Sequence, residues 1–207
     1  MIGKELKKRI LSSIILLPLE LFFIFAGSFY LIFFTLICFF VSIYEWNNMI
    51  KKIELKFFGS LFLIFSFYTF YKISDSHLLI FVLLVCASTD IGGYIFGKFF
   101  KGPKLIRISP NKTYSGMIGG YILSLTSLFY FLNWINYDVT IIWSIVTILI
   151  SSVSQVGDII VSYFKRLSKI KDTGKIIPGH GGLLDRIDGM IFAFPIFYLI
   201  EKTGYLI

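Results

Sequence analysis

The chain has 207 residues, 57% hydrophobic and only 15% charged, with a formal net charge of +8 and a mean hydropathy of +0.82. A soluble domain carries roughly 25% charged residues, so this composition excludes a water-soluble globule and fits a bilayer, which is itself an apolar solvent. The apolar runs are continuous rather than alternating, which excludes a β-barrel and leaves an all-α, polytopic integral membrane protein.

In chain order, the runs predict about seven transmembrane helices, near 10–27, 28–45, 57–73, 77–97, 114–132, 139–164 and 184–201. Each approaches the roughly 20 residues that a span requires. The third is short enough to be re-entrant. The opening MIGKELKKRILSSIILLPLE has no clear small-residue cleavage site and reads as a retained first helix. Cys38 and Cys86 lie inside apolar runs, with no spacing that suggests a disulfide or a zinc site. His77 falls near the outer face and reads as interfacial. With seven crossings, 18 of the 20 Lys and Arg residues fall on one side, and only Lys72 and Lys202 fall on the other. The positive-inside rule then places the N-terminus in the cytoplasm.

Polar residues interrupt this pattern in three places. In CASTDIGGYIFGKFF (86–100), Asp90 shares a helix face with Gly93 and Gly97; small residues there allow close helix approach. The basic loop 101–113 ends in Ser109-Pro110-Asn111-Lys112-Thr113, and hydroxyl and ammonium donors at a helix start suit an anion. In SQVGDIIVSYFKR (154–166), Asp158 stands on one face with Ser151, Ser154, Ser162 and Lys165. A carboxylate at that depth is costly unless paired, hydrated or bound to a cation. The bland alternative is a serine-rich packing seam.

The stretch LSKIKDTGKIIPGHGG (167–182) is too polar and too rich in helix breakers to span, and LLDRIDG then begins a helix. Pro178, Gly179, Gly181 and Gly182 allow tight turns and close approach to a ligand. Asp185 and Asp188 are predicted on one face of the following helix. They could simply complement its dipole, but two acids beside Arg186 and a glycine loop suit a hard divalent ion better. Asp158, Asp185 and Asp188 would then converge among Lys165, Arg166, Lys169, Lys171, Lys175 and Arg186. Magnesium, a basic cluster and a glycine-rich loop equip a site for phosphoryl or nucleotidyl transfer.

Ser162-x-Phe164-Lys165-Arg166, Lys171-Asp172-x-Gly174 and Pro178-x-His180-Gly181-Gly182-x-x-Asp185-Arg186-x-Asp188 resemble the signature of the phosphatidate cytidylyltransferases. The resemblance extends over about 86–190, with no departure across 162–188. It departs at Ser115, where the family often has Glu or Gln. It implies a reaction of CTP with phosphatidic acid that gives CDP-diacylglycerol and pyrophosphate, in phospholipid synthesis. It also implies an active site on the cytoplasmic side of a bacterial inner (plasma) membrane. Residues 1–75 are expected to be an accessory scaffold, with fewer spans than many relatives have, and 76–207 to be the catalytic domain.

The expected cofactor is Mg²⁺, held by Asp158, Asp185 and Asp188, with room for a second, monovalent cation. Lys165, Arg166, Lys171 and Arg186 are expected to neutralise the triphosphate. Asp90, Ser109, Lys112, Thr113, Ser162, Gly181 and Gly182 are expected to contact substrate. His180 reads equally as a phosphate contact or a loop-ordering residue. Expected partners are CTP, phosphatidic acid and membrane lipid, with no nucleic acid and a homodimer left open. Two alternatives are another membrane-embedded, Mg-dependent phosphotransferase acting on a lipid phosphate, and a cation transporter. The Asp-Gly to Ala-Arg pattern of CDP-alcohol phosphotransferases is missing. A transporter needs polar positions across the full membrane, and here they gather at one side.

Overall fold

The computed structural model describes residues 22–26, 28–73, 76–106, 109, 112–176 and 181–204. The chain is an all-α membrane protein. Among the described residues from Ser28 onward, its helices are α1 (Ser28–Met49), α2 (Ile53–Lys72), α3 (Ser76–Phe100), α4 (Tyr114–Trp134), α5 (Ile141–Leu167), α6 (Leu184–Ile187) and α7 (Met190–Glu201). Among the described residues, five helices, α1 to α5, are long and apolar enough to cross a membrane. Five expected spans correspond to these. The expected span at 10–27 lies almost wholly outside the described residues.

Three differences from the sequence reading have physical causes. The 57–73 segment forms a helix of 20 residues, which at about 1.5 Å per residue reaches across a hydrocarbon core. α1 continues to Met49 rather than stopping at 45, which places Glu45 inside the helix, where it is buried. The expected 184–201 helix is broken. Asp188 and Gly189 are turn residues between α6 and α7, and Asp188 Oδ1 accepts the Gly189 N–H at 3.0 Å. Such side-chain bonds to nearby backbone compete with helix continuation. Asp185 and Asp188 therefore do not share a helix face. α7, at 12 residues, is the shorter apolar helix, and it carries Pro195 in its interior.

The described residues fall into two compact units. One contains residues up to Ser76 together with Phe164–Ile187, and the other contains His77–Tyr163 and the chain from Asp188 onward. In the first, α1 packs against α2 and α6. The Trp46 ring meets Phe164 edge-on at 5.1 Å, and its indole N–H donates to the Leu55 carbonyl. In the second, Phe81 is fully buried amid the rings of Phe131, Trp143 and Phe197, at 5.4, 5.1 and 5.6 Å. Edge and tilted contacts of this kind add to the area term. α3 and α4 cross on glycines: a Cβ added at Gly92 would lie 2.3 Å from the Gly119 carbonyl oxygen. Phe29, Phe58, Tyr94, Phe99 and Ile141 are more than two-thirds or nearly two-thirds exposed, as expected for side chains facing lipid.

Candidate active site

Each unit holds one group of polar side chains. In the unit built on α3, α4 and α5, a cavity of about 300 Å³ is lined by Asp90, Tyr94, Ser109, Lys112, Thr113, Gln155 and Asp158, among others. Its walls can come together because α3 and α4 cross closely at glycine. Thr113 caps α4, its hydroxyl accepting the Gly116 N–H at 3.1 Å. The loop before α4 is tied by Leu105 N–H to the Lys112 carbonyl and by Tyr114 N–H to the Pro103 carbonyl. These ties aim Lys112 into the cavity, where its ammonium pairs with Asp158 and donates to the Gln155 carbonyl at 3.4 Å. Ser162, one turn along α5, donates to Asp158 Oδ1 at 3.3 Å.

The serine stripe along α5 is present: Ser151 and Ser154 are buried, and Thr89 of α3 donates to Ser151 at 2.8 Å. The turn between α6 and α7 lies against the same helix. A Cβ at Gly189 would come within 2.3 Å of Ser154 Oγ, and one at Gly157 within 3.0 Å of the Asp188 carbonyl. Asp188 is therefore seated, mostly buried, against the turn of α5 that carries Asp158. Asp90, Ser109, Lys112, Thr113 and Asp158 all belong to this first group. Pro110 and Asn111 lie outside the described residues.

The second group is in the other unit. Lys165 Nζ donates to Asp185 Oδ1 at 2.8 Å, and the two side chains are only 11% and 6% exposed. The other Asp185 oxygen, Oδ2, accepts the Thr173 N–H at 2.7 Å, the Gly182 N–H at 2.9 Å and is 3.1 Å from the Thr173 hydroxyl. One carboxylate thus gathers both limbs of the glycine loop and the ammonium of α5. Gly181 stands at φ +89, a left-handed conformation natural only to glycine. Arg166 donates to the Ile170 carbonyl at 3.2 Å, closing the end of α5. Lys171 and Arg186 are exposed. Pro178, Gly179 and His180 lie outside the described residues.

Sequence reasoning passed over Glu45 and Thr173. Glu45, 1% exposed, accepts the Leu183 N–H at 3.0 Å, the Leu184 N–H at 2.8 Å and the Thr173 hydroxyl at 3.0 Å. An acid within a helix apolar enough to span a membrane is itself the signal that could have found it. Thr173 occupies the unassigned position of Lys171-Asp172-x-Gly174.

Among the described residues, no three Asp, Glu, His or Cys side chains are gathered closely enough to hold a metal ion. The donor set nonetheless fits a hard cation by its chemistry. Its oxygens are carboxylate, and on both Asp158 and Asp185 the partner is a lysine ammonium, a positive charge that a cation could exchange with.

A multi-helix membrane protein with a glycine loop drawn around a buried Lys–Asp pair defines the class. The Cytidylyltransferase family model matches residues 54–203, and the chain belongs to that family. It is 40% identical over 126 residues to a phosphatidate cytidylyltransferase of Staphylococcus saprophyticus, a match covering 60% of this chain and 48% of the relative. It is 42% identical over 126 residues to the protein of that name from Staphylococcus haemolyticus, with 60% and 48% covered. It is 41% identical over 122 residues to that of Brucella melitensis, with 58% and 45% covered. The matched part spans about half the length of these curated relatives.

Proposed function

We propose that the chain transfers CMP from CTP to phosphatidic acid, forming CDP-diacylglycerol for phospholipid synthesis. An oxygen of the lipid phosphate attacks the α-phosphorus of CTP. A new P–O–P bond forms, the bond to the β-phosphate breaks, and pyrophosphate leaves with that electron pair. The observation that carries this reading is the Lys165–Asp185 pair locked inside the signature loop of a Cytidylyltransferase-family chain.

The nucleophile is already an anion near neutral pH, so the protein's task is placement and charge neutralisation rather than proton removal. Mg²⁺ would supply neutralisation of phosphate oxygens, with Asp158 and Asp188 as candidate ligands in one unit and Asp185 as a candidate ligand in the other. Lys112, poised in the cavity, contacts phosphate. Lys165, Arg166, Lys171 and Arg186 offset the triphosphate, and His180 orders the loop or donates to phosphate. CTP arrives from the cytoplasmic side of a bacterial inner membrane, the side to which the basic loops are assigned, and phosphatidic acid arrives within the leaflet.

The deciding experiment is CMP incorporation into phosphatidic acid by the purified chain, with cytidine-labelled CTP, with and without Mg²⁺. Labelled CDP-diacylglycerol that depends on Mg²⁺ is expected. Use of UDP-sugars in place of CTP, or cation flux through vesicles without nucleotide turnover, would sink the reading.

A further inference from the structure

We infer that Glu45 is a positioning residue for the reaction proposed above, clamping the catalytic loop from a helix outside the family-matched region 54–203. The inference rests on that functional reading for its kinetic consequence, and on geometry alone for the clamp.

Glu45 sits near the end of α1 and is 1% exposed. Its two oxygens divide the work: Oε1 accepts the Leu183 N–H at 3.0 Å, and Oε2 accepts the Leu184 N–H at 2.8 Å. The next residue in the chain is Asp185, whose own carboxylate holds Lys165. The two acids are linked through Thr173, whose hydroxyl lies 3.0 Å from Glu45 Oε2 and 3.1 Å from Asp185 Oδ2. One hydroxyl hydrogen is thus shared by two carboxylates, and both limbs of the loop are fixed to them. The loop fits around Glu45 only because Gly174 and Gly182 lack side chains. A Cβ at either would come within 2.5 or 2.4 Å of a Glu45 oxygen.

This arrangement requires a carboxylate. An amide offers one oxygen, so its NH₂ would face a backbone N–H and leave that buried donor without an acceptor, which is strongly penalised. Glu45→Gln is therefore not a mild change here, although it preserves shape. Because the cations that meet the triphosphate stay in place, the loss falls on alignment in the transition state rather than on nucleotide binding.

The experiment measures amide hydrogen exchange and steady-state kinetics on the full chain in detergent, comparing wild type with Glu45→Gln. Exchange in the peptide carrying Leu183 and Leu184 is expected to accelerate at least about tenfold, in line with loss of a charge-assisted hydrogen bond. Peptides of α4 should be unchanged. kcat should fall about tenfold or more while KM for CTP moves less than about threefold. Unchanged exchange at those amides overturns the clamp; accelerated exchange with wild-type kcat overturns its positioning role. If Glu45→Gln fails to fold, Glu45→Asp keeps both oxygens but withdraws them by a methylene, and it is read by the same criteria. A wild-type chain without CMP transfer refutes the functional reading, and the exchange result then decides the clamp by itself.

Discussion

Two lysine–aspartate pairs look alike on paper and differ in what they do for the protein. Lys112 and Asp158 are 23% and 30% exposed, whereas Lys165 and Asp185 are 11% and 6% exposed. A partly solvated pair contributes about 0–1 kcal/mol, while removing one partner of a buried pair costs about 3–5 kcal/mol because the other charge is stranded. Lys165→Ala should therefore lower the thermal midpoint in detergent sharply, and abolish transfer as well. Asp158→Asn should leave the midpoint nearly unchanged while CMP incorporation falls at least about a hundredfold, since only its role toward substrate is lost. Equal destabilisation by the two would show that burial is not what separates the pairs. Asp158 and Lys165 were legible in the sequence because a charged stripe on an apolar helix stands out. Their separate partners were not, because pairing between residues 20 or more positions apart has no periodic trace.

The long helices follow directly from their apolar runs, and five were foreseeable within a few residues at each end. The errors gather where polar side chains find partners elsewhere in the chain. Glu45 gives no sign in the sequence of the loop amides that satisfy it, and Asp188 reads as helical until it bonds its neighbour's N–H. The crossing of α3 and α4 tests how far helices shape the site. Gly92→Leu places a side chain where the Gly119 carbonyl already stands, at 2.3 Å from a bare Cβ. Overpacking of this kind costs about 1–3 kcal/mol or more, so a lowered thermal midpoint and a loss of CTP turnover are expected together. Ile122→Leu on the exposed face of α4 should change neither. The spacing of Gly93 and Gly97 predicts close helix approach; a Cβ at Gly116 would lie 2.7 Å from the Gly93 carbonyl oxygen, and the tighter backbone contact involves Gly92 and Gly119, because backbone approach depends on helix rotation.

For the molecule as a whole, composition and the continuous apolar runs foretold an all-α membrane protein, and the charge distribution predicts which side the basic loops face. The expected topology can be checked by labelling single cysteines, introduced into a Cys38→Ala, Cys86→Ala background, in intact cells. A membrane-impermeant maleimide should reach a cysteine at Asn136, between α4 and α5. Cysteines at Lys52, Lys101 and Lys171 should react only after permeabilisation. Reaction of all four before permeabilisation, or of the cytoplasmic three alone, would invert or dissolve the proposed orientation.

The family model begins at residue 54, nine residues after Glu45 in the sequence, so a boundary drawn from similarity cuts between the loop and its buttress. Trimming the polypeptide to that boundary would keep every signature residue yet leave the Leu183 and Leu184 peptide groups facing an empty berth. Helix α1, greasy and easily dismissed as anchorage, is better regarded as carrying the keystone of the arch it stands beside.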